Sequence, residues 1–388
     1  MMQNMDGFMD EIYEELVEVR QHLHEHPELS GKEFETQKYL KRKLKACKPD
    51  VLKKIGGTGL MVVFEGKEEG PETLFRTDID ALPIPELNKN MSYRSKFEGI
   101  AHKCGHDGHM TMMLGLAKWL HRHRPEKGKV ILIFQPAEEN GQGARAVLED
   151  PAFTCDPDYV FALHNVPFFP KGTIVLREGS FSASVRSIAI RFEGKTSHAA
   201  EPEEGNCPDM AISKLLAFAN AYTNNHPEKE DFCLLTPIYV TLGQKAYGTM
   251  PDKGEVHFTL RAWNPEQMER LVNDLEYEIR ELALTENLQY DWSYLDIFPA
   301  VTNDVRVVKE VRQIAEQLDV DSQMKPFPFK WGEDFGFFTR EFKGMMFGLG
   351  AGEDHPALHH ALYDFPDDIM PSGIQLYAGI VKHFHLSS

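Results

Sequence analysis

Val130-Ile131-Leu132-Ile133-Phe134, running directly into Gln135-Pro136-Ala137-Glu138-Glu139, is the stretch on which the fold is decided. A short, mostly β-branched apolar run closed by a proline is too brief for a helix and suits a strand buried on both faces. Two adjacent carboxylates straight after such a strand repel each other and favour a positive neighbour. An apolar strand ending in an acidic loop points to an α/β sheet whose strand ends border a ligand site.

The same signature recurs on either side. Apolar runs at 60–64, 73–76 and 159–163 predict further strands, with a helix near 107–122. Upstream, Phe8, Ile12, Leu16, Val19 and Leu23 share one face of a helix over 7–23. His26-Pro27 ends it, because the residue before a proline avoids helical dihedrals. A second helix over 32–46 places Phe34, Leu40 and Leu44 on one face. The loops after the strands carry Asp78-Ile79-Asp80, Glu138-Glu139 and His164-Asn165. The pattern predicts an α/β domain with a mixed sheet flanked by helices.

The character changes near residue 180. Val185, Ile188, Ile190 and Phe192 mark a strand over 185–192, followed by a helix at 208–224 and strands at 234–243 and 255–262. A helix at 265–284 and a strand at 287–293 complete a β-α-β-β-α-β order, that of a ferredoxin-like α+β unit inserted into the first domain. The expected division is 1–183 with 297–388 for the first domain and 184–296 for the insert, and the chain closes with an apolar helix at 371–385.

Net charge excludes one class of partner. With 60 acidic and 42 basic residues the formal charge is −18, which argues against nucleic acid, whose binding depends on Lys and Arg neutralising phosphates. No apolar run reaches the roughly 18 residues a spanning helix needs, so no membrane is expected. The N-terminus lacks a basic stretch followed by an apolar one, and no signal peptide is expected. Cys47, Cys104, Cys155, Cys207 and Cys233 are odd in number and form no CxxC pair, so free thiols in a reducing cytoplasm are expected.

The densest polar cluster is His102-Lys103-Cys104-Gly105-His106-Asp107-Gly108-His109. Thiolate and imidazole are good ligands for divalent transition metals, and the two glycines let the backbone turn tightly. Asp107 and His109 could equally cap the helix or steady a ligand. Of Glu138 and Glu139, one could bind metal while the other serves as a general base. His164 ends a strand, and His359 or His360 adds an imidazole near the C-terminus. Asp78 and Asp80 could orient a ligating imidazole.

At this point the residues resemble a known family. Phe75-Arg76-Thr77-Asp78-Ile79-Asp80-Ala81-Leu82-Pro83 is similar to the signature of the metal-dependent amidohydrolases related to aminoacylase and carboxypeptidase G. That branch includes hippurate hydrolase, plant auxin-conjugate hydrolases and N-acetyl-diaminopimelate deacetylase. The likeness continues through 102–109, Gln135-Pro136-Ala137-Glu138-Glu139, 194–200, Gly332-Glu333-Asp334-Phe335 and Leu358-His359, in order, and includes His24-Glu25-His26-Pro27-Glu28-Leu29-Ser30.

The resemblance implies a zinc-peptidase-like catalytic domain with the insert as lid and dimerisation domain. It implies that Cys104, His106, Glu139, His164 and His359 hold two divalent ions (Zn, Mn, Co or Ni), with Glu138 as general base. His198, in the insert, would stabilise the oxyanion, reaching the site of a partner subunit in a homodimer. Arg261 would hold a substrate carboxylate. The implied substrate is an N-acyl amino acid or similar small amide, with dipeptides as the alternative. From other classes, a Cys104-nucleophile amidase and a non-catalytic metal- or peptide-binding protein remain as rivals. The chain departs from the family pattern at Gly248, where asparagine is usual, at Asn165-Val166-Pro167 and at Glu201-Pro202. These positions approach the substrate cleft in the family, so Asn165 is expected near substrate and the departures bear on its identity.

Overall fold

The computed structural model describes residues 3–386. They form two compact units: one of residues up to Phe181, 301–326 and from Asp334 onward, the other of Ser182–Ala300 and Phe327–Glu333. Each has its own hydrophobic core.

The first unit begins with α1 (Gln3–Glu25), α2 (Phe34–Lys45), β1 (Val51–Ile55), β2 (Gly59–Glu65), β3 (Glu68–Asp78) and α3 (His106–Arg122). It continues through β4 (Lys127–Gln135), α4 (Gly143–Leu148), β5 (Tyr159–Pro167), β6 (Ile174–Leu176) and β7 (Gly179–Ser180). The second unit holds β8 (Ser184–Glu193), β9 (Ser197–His198), α5 (Asp209–Tyr222), β10 (Cys233–Leu242), β11 (Thr249–Met250), β12 (Lys253–Ala262), α6 (Pro265–Thr285) and β13 (Gln289–Phe298). The chain then returns with β14 (Thr302–Asn303), α7 (Val305–Gln317), β15 (Ser322–Met324), α8 (Gly336–Glu341), β16 (Gly344–Gly352) and α9 (Met370–His385).

Eight strands of the first unit make one mixed sheet in the order β1-β2-β4-β3-β5-β16-β6-β15. Its centre, β4-β3-β5-β16, is parallel, and β1, β2 and β4 pair antiparallel. The central strands are buried from Val130 to Gln135 and from Val160 to Pro167, as a sheet covered on both faces requires. Helices α1, α3 and α9 pack on one another, and α3 and α9 also lie against β3. Parallel strands deliver their carboxyl ends to one edge, so the loops after β3, β4, β5 and β16 converge there.

The expected strand at 73–76 is the buried half of β3, whose first residues are exposed and polar. Strand β16 has no counterpart among the sequence expectations because Gly344, Gly348, Gly350 and Gly352 interrupt its apolar pattern. The glycine at 350 is demanded by packing: a Cβ there would stand 1.9 Å from the Pro170 carbonyl oxygen.

In the second unit, β8, α5, β10, β12, α6 and β13 follow one another, and the antiparallel sheet runs β10-β12-β8-β13. Alternation along β12 buries Val256, Phe258, Leu260 and Ala262. Asn264 caps α6 by accepting the Gln267 N–H at 2.9 Å. No helix among the described residues is long and apolar enough to cross a membrane.

Candidate metal and active site

Two histidines of the first unit have Nδ1 engaged by a main-chain carbonyl, and a third is fixed through its backbone. His106, in the first turn of α3, donates from Nδ1 to the Asp80 main-chain carbonyl at 3.0 Å. His164, near the end of β5, donates from Nδ1 to the Asn165 carbonyl at 2.8 Å, which leaves Nε2 to face the Cys104 sulfur at 3.4 Å. His359 is fixed through its backbone, whose N–H donates to the Lys103 carbonyl at 2.7 Å, and its Nε2 lies 3.5 Å from Glu139 Oε2. The neighbouring His360 instead accepts the Leu362 N–H on Nδ1, so the two adjacent imidazoles are separated by geometry.

The donors fall into overlapping groups: Cys104, His106 and His164; Cys104, Glu139 and His359; His106, Glu138 and Glu139. Within each group one donor atom per residue lies within 4.8 Å of the others. His106 Nε2 and Glu139 Oε1 stand 3.7 Å apart, both buried and neither hydrogen-bonded. Two atoms each about 2.1 Å from one tetrahedral ion lie roughly 3.4 Å apart, so these separations are those of ligands sharing a cation. Thiolate, imidazole and carboxylate together suit a divalent transition ion, and the residues present fit one.

The electrostatics agree. Burial and the carboxylates of Glu139 and Glu138 push the Cys104 thiol well up. Burial, with Asp80 nearby, lifts Glu139 to about 8 against the pull of His106. Burial works against the charged form of His106, but Asp78, Asp80 and Glu139 outweigh it and raise the imidazole to about 10. The cluster thus retains protons where a cation would otherwise neutralise its carboxylates, and a metal would displace them.

The local backbone explains why these residues occur in this order. Gly105 takes a φ of +94° at the start of α3, and a Cβ there would strike Asn165 Oδ1 at 2.3 Å. Ala137, between the buried strand and the two glutamates, takes a φ of +53°, and its N–H donates to Glu33 Oε1 at 2.9 Å. A left-handed alanine is a costly conformation that the surroundings must enforce. Asp78 accepts from His109 Nδ1 at 2.7 Å and from Arg76 at 2.8 Å. Asp80 accepts the Ser30 hydroxyl at 2.7 Å and the Glu139 N–H at 3.0 Å.

Asn165, expected near substrate, is fully buried. Its N–H donates to His109 Nε2 at 3.1 Å and its side-chain amide donates to the Tyr363 hydroxyl. Both its backbone N–H and its side-chain amide are engaged by the protein.

In the second unit, His198 sits on β9, which pairs with β11, and the Ala199 N–H donates to the Gly248 carbonyl. His198 accepts the Ala200 N–H on Nδ1 at 3.1 Å, which leaves Nε2 as the protonated nitrogen of the neutral ring. A Cβ at Gly248 would meet nothing within 4 Å. Arg261 is half-buried and donates to the Lys330 carbonyl at 2.7 Å.

A sequence profile describing peptidase family M20/M25/M40 matches residues 74–383. The chain is 33% identical over 352 residues to an N-acetyl-L-cysteine deacetylase of Bacillus subtilis, covering 89% of this chain and 83% of the relative. It is 30% identical over 374 residues to hippurate hydrolase of Campylobacter jejuni, covering 95% and 96%. The chain belongs to peptidase family M20/M25/M40. A B. subtilis crystal structure described as a dinuclear metal-binding peptidase from this family superposes with a TM-score of 0.83 at 27% identity, covering 96% and 98% of the two chains. The mixed sheet flanked by helices is the fold these family members share.

Several site-building residues escaped the sequence analysis. His24 donates to Asp107 and to Glu86, both at 2.7 Å, and Arg20 pairs with Asp367 at 2.8 Å. Lys103, fully buried beside Cys104, pairs with Glu86 and donates to the Tyr363 carbonyl at 2.7 Å. Asp334 accepts from Arg76 at 2.7 Å, from Gln135 at 2.8 Å and from the Ala144 N–H at 2.8 Å. The arginine, glutamine and aspartate motifs thereby become one buried network. A charged residue next to a candidate ligand is the signal that could have found Lys103.

Proposed function

We propose that the chain is a two-metal amidohydrolase that splits N-acyl amino acids or similar small amides into a carboxylate and an amine. The observation that carries this reading is the pair His106 Nε2 and Glu139 Oε1, buried, unbonded and 3.7 Å apart, with Glu138 Oε2 4.0 Å from the same nitrogen. Cys104, His106, Glu139, His164 and His359 hold two divalent ions of the Zn, Mn, Co or Ni kind. When bound, these supply Lewis acidity toward the amide carbonyl and toward water. The deacetylase and hydrolase names of the relatives support the reaction class, and the dinuclear peptidase supports the count of two.

The chain's own residues do the rest. Glu138 takes the proton of the attacking water and passes it to the departing amine. His198 donates from Nε2 to the developing oxyanion, consistent with the tautomer its Nδ1 contact selects. Arg261 holds the substrate carboxylate. Asp78 and Asp80 orient the imidazoles and the Glu139 loop, and Asn165 acts from beneath through His109.

The second unit, in this reading, is a ferredoxin-like lid that also makes the homodimer. Its edge strand β10 exposes Ile238, Tyr239, Val240 and Leu242, an unpaired apolar edge of the kind proteins ordinarily cover. All five cysteines are free, which supports the cytoplasm as its compartment. The rival Cys104 nucleophile is disfavoured by the sulfur's burial among carboxylates.

An amine-release screen of metal-reconstituted protein, spanning N-acetyl, N-benzoyl and indole-acetyl amino acids and dipeptides, tests the reading. Release that a chelator abolishes and added Mn²⁺ or Zn²⁺ restores supports it. Silence across the panel with metal bound would favour a non-catalytic binding protein.

A further inference from the structure

We infer that the C-terminal end of α1, with the residue that follows it, carries a further divalent-metal site, built from His22, Glu25 and His26 and separate from the cluster around Cys104. His22 and His26 are four residues apart and face each other across one helical turn, with ring centroids 4.4 Å apart. One donor atom from each of the three residues lies within 4.8 Å of the other two.

The ring orientations favour ligation. His26 donates from Nδ1 to the His22 carbonyl at 2.8 Å, which leaves Nε2 as the acceptor nitrogen, the arrangement ligating imidazoles adopt. His22 stacks on Tyr39, centroids 4.1 Å apart at 23°, and this fixes its plane.

A cation already stands at this spot. The Lys96 ammonium donates to Glu25 Oε2 at 2.8 Å and lies 3.5 Å from His26 Nε2. Its side chain is half exposed and can swing into water, while its main-chain N–H keeps the Glu25 carbonyl at 2.9 Å. A divalent ion would take the ammonium's place with higher charge and with imidazole bonds the ammonium cannot form.

Two imidazoles and one carboxylate suit Zn²⁺ and its neighbours in the transition series. A groove of about 460 Å³ adjoins the turn, lined in part by His22, His26, Glu28, Glu35, Tyr39 and Phe97. It leaves room for water or a small ligand to complete the coordination, and Glu28 and Glu35 share its wall with Lys38 and Arg42.

Equilibrium dialysis of the full chain against Zn²⁺, with metal counting, tests the site. Wild type is expected to hold one equivalent more than a His22→Ala/His26→Ala double variant. Only the difference is read, so a cluster around Cys104 that took no metal would lower both counts equally. Glu25→Gln, which preserves shape, is expected to weaken the extra equivalent about tenfold, and Lys96→Met to tighten it about tenfold by removing a competing charge. Equal zinc content in wild type and the double variant, or affinity indifferent to both Glu25→Gln and Lys96→Met, overturns the inference.

Discussion

The carboxylate of Asp80 accepts the main-chain N–H of Glu139 at 3.0 Å, tying the loop after one central strand to the loop after its neighbour. Asp80 also presents its own carbonyl to His106, so two donors of the proposed metal cluster are steadied from one residue. Asp80→Ala is therefore expected to loosen the Glu139 loop and lower metal affinity by about 10–100-fold. Metal titration of the purified variant reads this directly, and unchanged affinity would remove Asp80 from the site's framework.

Glu138 sits 4.0 Å from His106 Nε2 yet is assigned proton transfer rather than ligation. Glu138→Gln keeps the shape and removes the base. Turnover should fall by roughly 10²–10⁴-fold while metal content stays at the wild-type level. A parallel loss of metal would make Glu138 a ligand instead.

His198 and Glu138 serve one reaction from different subunits in the proposed dimer. His198→Ala alone should cost roughly 10²–10³ in kcat. Mixing it with Glu138→Gln after dissociation and reassembly should restore about a quarter of wild-type activity, because half of a random mixture is heterodimer with one complete site. No recovery in verified heterodimers would confine each site to its own chain.

The edge strand β10 supplies the next test. Val240 is 43% exposed and lies among other exposed apolar residues on a strand with one free side. Val240→Lys places a charge on that edge and should shift the protein from dimer to monomer in sedimentation, with loss of activity but little change in thermal midpoint. A variant that remains dimeric would point to another surface.

Stability should respond to pH through His24 and Asp107. Burial opposes the charge on His24, but hydrogen bonds to Asp107 and Glu86 outweigh it and raise the imidazole to about 9. Burial likewise opposes the Asp107 charge, and His24 holds that carboxyl well below the usual range. A raised histidine stabilises fully below its unfolded value of about 6.5 and fades as pH climbs through 9; a depressed aspartate stabilises above about 4 and fades below it. The pair should thus contribute in full between about pH 4 and 6.5, with on the order of 3 kcal/mol lost on the alkaline side. Thermal midpoints of metal-free protein should show that limb, and His24→Asn should flatten it.

Much of this was legible in the sequence where one residue's own chemistry decided the matter. The helix expected over 7–23 is α1, Gln3–Glu25, because its apolar residues recur at helical spacing. Cys104, His106, Glu139 and His164 cluster because the start of α3 meets the ends of β4 and β5. What stayed hidden depends on close approach in three dimensions. Strand β16 reads as a glycine-rich loop until neighbouring backbone takes up the space its side chains would need. Arg76, Gln135 and Asp334 look like three unrelated motif residues, since 258 positions separate the arginine from its aspartate. Asn165 follows His164 at the end of a strand, but only the packed structure reveals its contacts with His109 and Tyr363.

His359 differs from the other proposed ligands in one respect: its side chain is 50% exposed, and its backbone holds a φ of +64°. Cys104, His106 and His164 lie in the interior, each under 10% exposed. The cluster therefore meets solvent on its His359 side. In the proposed assignment, an ion bonded to His359 would trade with solvent more readily than one held by the buried Cys104, His106 and His164. Loading and unloading should follow as an ordered sequence with two distinct exchange rates, and a brief chelator treatment would strip one ion while the other stays.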